Sequence, residues 1–222
     1  MKFRNITFIF SLLILFGCDK LAGTSVTETL EITNTYIELR VQDAIDVVIS
    51  NSVEEARITG GENVISYVAI EEANGMLDIR RKDGKYFLNS TVKVELPYNP
   101  NLGKMAISDA SDIDCEVNAE EFVISLTDAS DAKLQGHIGK LKINLDDASS
   151  IKKNVVNKRY ALSCDECEVS MSGASDAYLH CDGNIKIIKL EGASDLHYTG
   201  NATITFAGGI PSSSSDIKND KL

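Results

Sequence analysis

Apolar side chains in this chain recur two residues apart, in short runs set around a small-residue tetrapeptide. Asp109-Ala110-Ser111-Asp112 returns as Asp128-Ala129-Ser130-Asp131, Asp147-Ala148-Ser149-Ser150, Gly173-Ala174-Ser175-Asp176 and Gly192-Ala193-Ser194-Asp195. A degenerate Ser213-Ser214-Ser215-Asp216 closes the series, and successive copies lie 19, 19, 26, 19 and 21 residues apart. Five and three residues before each Ala stands an apolar pair: Met105/Ile107, Ile124/Leu126, Ile143/Leu145, Val169/Met171, Ile188/Leu190. Three and five residues after it come Ile113/Cys115, Ala132/Leu134, Ala177/Leu179 and Leu196/Tyr198, while the third copy breaks the rule with Ile151/Lys153.

A period of two predicts strands with one buried face. The tetrapeptide carries turn-favouring residues and nothing bulky, so it predicts a tight corner. Each unit is then strand, corner, strand and a second corner, often with a glycine (Gly136, Gly183, Gly200). A lone unit of this length cannot bury its apolar face, whereas stacked units close a common interior. The expected product is an all-β, right-handed parallel β-helix with rungs of 19–22 residues. A leucine-rich repeat would need a Leu consensus and helical segments. A β-sandwich suits the strand spacing, but the corner at fixed phase favours stacking.

Leu39-x-Val41-x-Asp43-Ala44-Ile45-Asp46-Val47-x-Ile49 carries the same pattern upstream. The 66 residues from Ala44 to Ala110 leave room for three turns of 22, with corners near Ser66 and Asn89-Ser90. Gly60-Gly61-Glu62-Asn63 and Asn74-Gly75 read as turns, which predicts a more irregular, hairpin-rich N-terminal part, as expected where an array must hide its end.

The amino terminus carries an address. Lys2 and Arg4 precede an apolar run from Ile6 to Phe16, too short to span a bilayer. Gly17-Cys18 follows directly and resembles a lipobox, in which cleavage precedes a cysteine that takes up lipid. The expected organisation is a leader at 1–17, lipidated Cys18 with a tether to residue 30, one domain over 31–217 and a tail at 218–222. Several acyl chains would make the attachment durable.

Composition narrows function. Lys plus Arg number 22 against 33 Asp plus Glu, a net charge of −11, which disfavours nucleic acid because that affinity rests on clustered cations. Aromatic residues are 6% and Trp is absent, so a carbohydrate platform of stacked rings is hard to assemble.

The corner repeated every 19–21 residues, together with Ile45-Asp46-Val47-Val48-Ile49, Gly61-Glu62-Asn63 and Gly75-Met76-Leu77-Asp78-Ile79, resembles the GIN-domain family of auto-transporter adhesin heads over residues 36–217. The resemblance implies a β-helical envelope lipoprotein and brings no catalytic motif. Asp109, Asp128 and Asp147 stand where the family corner has Gly, and Ser150 where it has Asp.

Stacked corners would place Ser111, Ser130, Ser149, Ser175 and Ser194 in one column and Asp112, Asp131, Asp176 and Asp195 in another. The aspartates either cap local backbone N–H groups or bind Ca²⁺ between rungs. Cys115, Cys164, Cys167 and Cys181 remain after Cys18. Cys-x-x-Cys without a βαβ context is a poor redox motif, and Cys-x₂-Cys-x₁₂-His-Cys is an unusual zinc spacing. In an exported chain the expectation is a disulfide from Cys181 to Cys164 or Cys167, with Cys115 buried and unpaired.

No catalytic residues are expected. His137, His180 and His197 occupy different repeat positions, so their spacing supports no Ser-His-Asp or metal cluster, and Asp146-Asp147 face opposite ways on a strand. The 26-residue repeat contains an insertion around 154–160 whose Lys153, Lys158, Arg159 and Tyr160 read as a binding loop on an acidic protein. The expected function is a non-catalytic, lipid-anchored envelope module, of the outer membrane, that contacts polysaccharide or protein. A ligand-free structural envelope protein and a β-helical polysaccharide-processing enzyme are the alternatives.

Overall fold

The structure, a computed structural model, describes residues 23–82, 91–207, 211–212 and 214–222. The leader, Cys18, the Asn89-Ser90 corner and Ser213 lie outside the described residues. The N-terminal part contains β1 (Ser25–Thr29), β2 (Glu38–Val41), β3 (Ile45–Ser50), β4 (Arg57–Gly61), the one-turn helix α1 (Glu62–Ile65), β5 (Val68–Ala73), β6 (Met76–Arg81) and β7 (Val92–Pro97). The repeats follow as β8 (Lys104–Ile107), β9 (Asp112–Glu116), β10 (Ala119–Leu126), β11 (Asp131–Leu145), β12 (Ser150–Ile151), the small hairpin β13 (Val155–Val156) and β14 (Arg159–Tyr160), β15 (Leu162–Met171), β16 (Asp176–Leu190), β17 (Asp195–Thr199), β18 (Thr203–Phe206) and β19 (Asp216–Asn219).

The repeats stack in parallel register at the spacing of the sequence pattern. Met105 lies beside Ile124, Ile124 beside Ile143, Ile143 beside Val169, Val169 beside Ile187 and Ile187 beside Phe206. After the corner, Ile113, Ala132, Ile151, Ala177, Leu196 and Ile217 form a second column. Alternate side chains of every strand therefore meet in one continuous apolar cluster, which is what the two-residue period requires. Ile187, not the expected Ile188, enters the core, because a register irregularity after Val169 shifts the partner strand by one residue.

The fold is all-β, but its sheet is mixed, and this departs from a uniformly parallel coil. β1 pairs antiparallel with β4, β4 with β7, and β5 with β6. The β5–β6 hairpin turns on Asn74-Gly75, both at positive φ (53° and 77°), the backbone of a tight two-residue hairpin. Residues 25–29, expected as tether, form the outermost of these strands.

The order of levels is also corrected. Three turns do not separate Ala44 from Ala110. β2 and β3 pair directly with β8 and β9 on one side and with β6 and β7 on the other. Residues 51–103 therefore leave the array, build its closed end and return beneath the level that precedes them in sequence. Ser66 ends α1 rather than forming a corner. Among the described residues no helix is long and apolar enough to cross a membrane.

Candidate functional site

The corners are built in two ways, and the residue before Ala decides which. At Asp43-Ala44, Asp109-Ala110, Asp128-Ala129 and Asp147-Ala148 both residues have positive φ, between 50° and 68°, the type I′ pattern. Ser111 N–H and Ser149 N–H close two of these turns on the carbonyls of Ser108 and Asp146, at 3.3 Å. At Gly173-Ala174 and Gly192-Ala193 only the glycine is positive, at 77° and 75°, the type II′ pattern. There the Ser175 and Ser194 hydroxyls donate to the carbonyls of Ser172 and Glu191 at 2.8 Å. Asp for Gly at the first three repeat corners is thus a change of turn type.

The serine column forms as expected and is fully buried. Ser111 Oγ accepts from Ile45 N–H at 3.2 Å, whereas Ser130 and Ser149 Oγ have no partner among the described residues. The aspartate column forms too: Asp112 pairs with Asp131, Asp176 with Asp195 and Asp195 with Asp216. Its members are served by neighbours. Asp131 accepts from Ser150 Oγ at 2.7 Å and lies 2.8 Å from Lys152 Nζ, and Lys218 Nζ lies 3.2 Å from Asp195. Burial, followed by the charges of Asp131 and Asp46, raises the Asp112 carboxyl above its ordinary range. Among the described residues no three His, Cys, Asp or Glu side chains converge on a metal geometry, so the coordinates lend the calcium reading no support.

The insertion is a hairpin. Asn157 and Lys158 turn it at positive φ, 51° and 62°, and leave Val155 and Val156 exposed at 43% and 48%. Tyr160 is not displayed. It is buried at 1% and anchors the hairpin to the last levels of the array. Its hydroxyl donates to Asp220 and its ring meets Tyr178 edge-on at 5.5 Å, while Tyr178 stacks on His197 at 4.6 Å. His197 Nδ1 lies 3.1 Å from Asp220 Oδ2. Burial opposes ionisation of Asp220, but hydrogen bonds from Tyr160 and His197 outweigh it and hold its carboxyl below the usual range. Of the predicted loop residues, Lys153, Lys158 and Arg159 are solvent-facing and Tyr160 is their support.

Beside the hairpin lies a polar cleft of about 370 Å³ lined by Asn118, His137, Arg159, Tyr160 and Ser163 among others. Here the structure assembles what spacing alone did not suggest. His137 Nδ1 lies 3.1 Å from Ser163 Oγ and its Nε2 lies 3.5 Å from Asp165 Oδ2. The residues are those of a nucleophilic triad, but the chemistry differs. Ser163 Oγ–H donates to the Gly136 carbonyl at 3.0 Å, which leaves His137 as donor to the hydroxyl rather than its base. A triad needs the opposite proton placement and a shielded carboxylate, whereas His137 and Asp165 are 56% and 71% exposed. Ser163 and His137 meet because the 26-residue repeat sets them in register. The turn between them needs glycine: Gly136 has φ 121°, and a Cβ there would lie 2.0 Å from the Val117 carbonyl oxygen.

A second concavity of about 500 Å³ lies on the outer face of β10, β11, β15 and β16. Alternating charge lines it: Glu168 joins Lys142 at 3.1 Å and Lys186 at 3.2 Å, and Glu121 faces Lys140 at 3.4 Å. These pairs are half-exposed and neutralise one another, so this face offers no net field to a charged ligand.

The cysteines fall on separate columns. Cys115 lies beside Leu134 and Cys167 beside Leu141 and Ile185, whereas Cys164 lies directly across from Cys181. All four are reduced and buried. Burial pushes the Cys115 thiol up to about 12.

The family model described as "Putative auto-transporter adhesin, head GIN domain" matches residues 35–155 and, in an overlapping second match, 99–202. Solved structures share the fold. A protein described as a putative adhesin from Bacteroides fragilis NCTC 9343 superposes with a TM-score of 0.63 at 13% identity, covering 89% of this chain and 97% of its own. Others so described are from Parabacteroides distasonis ATCC 8503 (0.52, 16% identity, 88% and 97%) and Parabacteroides merdae ATCC 43184 (0.51, 15%, 88% and 95%). No curated protein matches the chain.

Proposed function

This chain belongs to the GIN-domain family of auto-transporter adhesin heads, and on that footing we propose that it is a non-catalytic binding module of the bacterial cell envelope, held to the outer membrane by lipid on Cys18 and contacting polysaccharide or protein. The reading includes a leader at 1–17, a single domain whose parallel levels wind as a right-handed coil, and contact through the 153–159 hairpin. One observation carries it: the hairpin presents two exposed valines and three cations on an acidic protein, and it is pinned in place by a buried tyrosine. A tolerated insertion has no need of such support, whereas a contact element does, because ordering it beforehand lowers the entropic cost of binding.

Immobilised glycans and envelope proteins test this. The soluble chain binds a subset of them, and Val155→Ser with Val156→Ser, or Lys158→Glu with Arg159→Glu, abolishes that binding without lowering the melting temperature. A chain that binds nothing in either array is a structural envelope protein. Turnover of uronate polymers, lost on His137→Ala, would establish the enzymatic alternative.

A further inference from the structure

The interior columns change character only at the last level of the array. From Leu77 through Leu39, Met105, Ile124 and Ile143 to Ile187, each member of one column is at most 1% exposed; Phe206 completes that column and is 53% exposed. Ile204 and Ile217, the last members of neighbouring columns, are only partly buried. Among the described residues β18 pairs only with β16 and β19 only with β17, so both carry a free outer edge. The opposite end is closed by α1 and the antiparallel strands β1, β4 and β5. One end is finished and the other is not.

We propose that the β18–β19 end is an interface for a second copy of this chain, the two meeting end to end about a two-fold axis. Two identical edges related in this way run antiparallel, which is a good sheet pairing. The charges on the edge fit that arrangement. Asp216 and Lys218 flank Ile217 on β19. An antiparallel register centred on Ile217 sets each Asp216 opposite the other copy's Lys218, and it does so twice. On β18, a register centred on Thr205 sets Ile204 opposite Phe206, so that the apolar interior is continued and closed. In a chain of net charge −11, an edge of one sign would repel its own copy, as edge charges commonly do. This edge carries both signs, at the spacing that makes it self-complementary. The two-fold contact closes on itself and leads to a dimer rather than a fibre.

The proposal deepens the binding-module reading by naming a second copy as a partner, and it rests on that reading only for its place at a cell surface. Sedimentation equilibrium of residues 19–222 tests it without a membrane. The chain shows a concentration-dependent monomer–dimer equilibrium. Asp216→Lys and Lys218→Glu each weaken it about tenfold or more by setting like charges opposite one another, and an equimolar mixture of the two variants restores association, since the mixed pair is again complementary. Circular dichroism confirms that each variant is folded, and Phe206→Lys weakens association in any combination. A wild-type chain that stays monomeric at every accessible concentration overturns the proposal, as does a mixture that associates no better than its components. Glycan and protein capture by the hairpin is measured on the same variants and stays at the wild-type level. Loss of that capture with dimerisation intact would strike the binding-module reading alone.

Discussion

Ala193 donates its N–H back to the carbonyl of Gly173 at 2.7 Å, the reverse of Ala129, which donates forward to the carbonyl of Asp147 at 3.0 Å. Types I′ and II′ differ by a flip of the central peptide of the turn, so changing Asp to Gly reverses the direction in which the corners are stitched together. The reversal falls at the repeat that carries the insertion. Gly192 cannot be replaced freely, since its φ is 75° and a Cβ would lie 2.1 Å from the Gly173 oxygen. Gly192→Ala lowers stability by about 3 kcal/mol, from left-handed strain plus backbone displacement, as measured by urea unfolding. A loss below about 0.5 kcal/mol, the scale of a neutral surface change, would show that the corner is not constrained in this way.

Cys164 and Cys181 sit side by side on adjacent parallel strands, about 4.8 Å apart at the standard strand spacing and inside the Cα range of a disulfide. We expect them to be joined in the exported protein. The two thiols lose two protons and two electrons to a disulfide-bearing oxidoreductase of the export compartment, which is reduced in turn. Oxidation precedes burial, because the folded environment raises both thiols above their ordinary range, chiefly through the Cys164–Cys167 hydrogen bond for Cys164 and the Cys164–Cys181 hydrogen bond for Cys181. Peptide mapping under non-reducing conditions shows Cys164 linked to Cys181, and Cys181→Ser costs about 3 kcal/mol. A link through Cys115 or Cys167 would contradict the register.

The raised Asp112 carboxyl has a defined sign in the dependence of stability on pH. A group that holds its proton more tightly folded than unfolded favours the folded state as pH falls, and its charged form lowers stability once pH rises through the folded value. Asp112→Asn therefore raises the melting temperature at pH 7, and the gain disappears as pH falls toward the ordinary carboxylate value of 3.8. Melting curves of the two proteins across this range check it. Millimolar calcium leaves both curves unmoved; a calcium-dependent rise lost in Asp112→Asn would revive a metal between the levels.

Tyr160 joins the hairpin to the end of the array. Tyr160→Ala costs about 3 kcal/mol, as expected for a buried aromatic ring, while Lys158→Glu with Arg159→Glu leaves stability unchanged. Thermal denaturation distinguishes them. Equal effects would mean that the hairpin and its support are a single packing unit.

Much of this was legible before any coordinates. The columns through Ile124 and Ile113 follow from a two-residue period and a fixed corner, both of which are local signals. The misplacement of Ile188 for Ile187 came from a bulge, which adds a residue without altering local composition. The neighbours of β2 could not be read, because Leu39 meets Met105 across 66 residues that contain no further copy of the motif. His137 and Ser163 were separated on paper by the insertion, and only its placement outside the level brought them into register. The change from Asp to Gly at the corner was visible as a substitution, but its meaning lay in φ.

The place of β2 between β6 and β8 has a consequence for how the molecule assembles. In the repeats, each strand finds its partner 19 to 26 residues downstream, a short search along the polymer. β2 leaves an exporting pore early, yet its two neighbours end only at residues 81 and 107. Its apolar side chains must wait unpaired while that length of polymer arrives. Maturation thus begins from the later coils and runs backward, so the amino-terminal stretch is the segment most in need of escort during secretion.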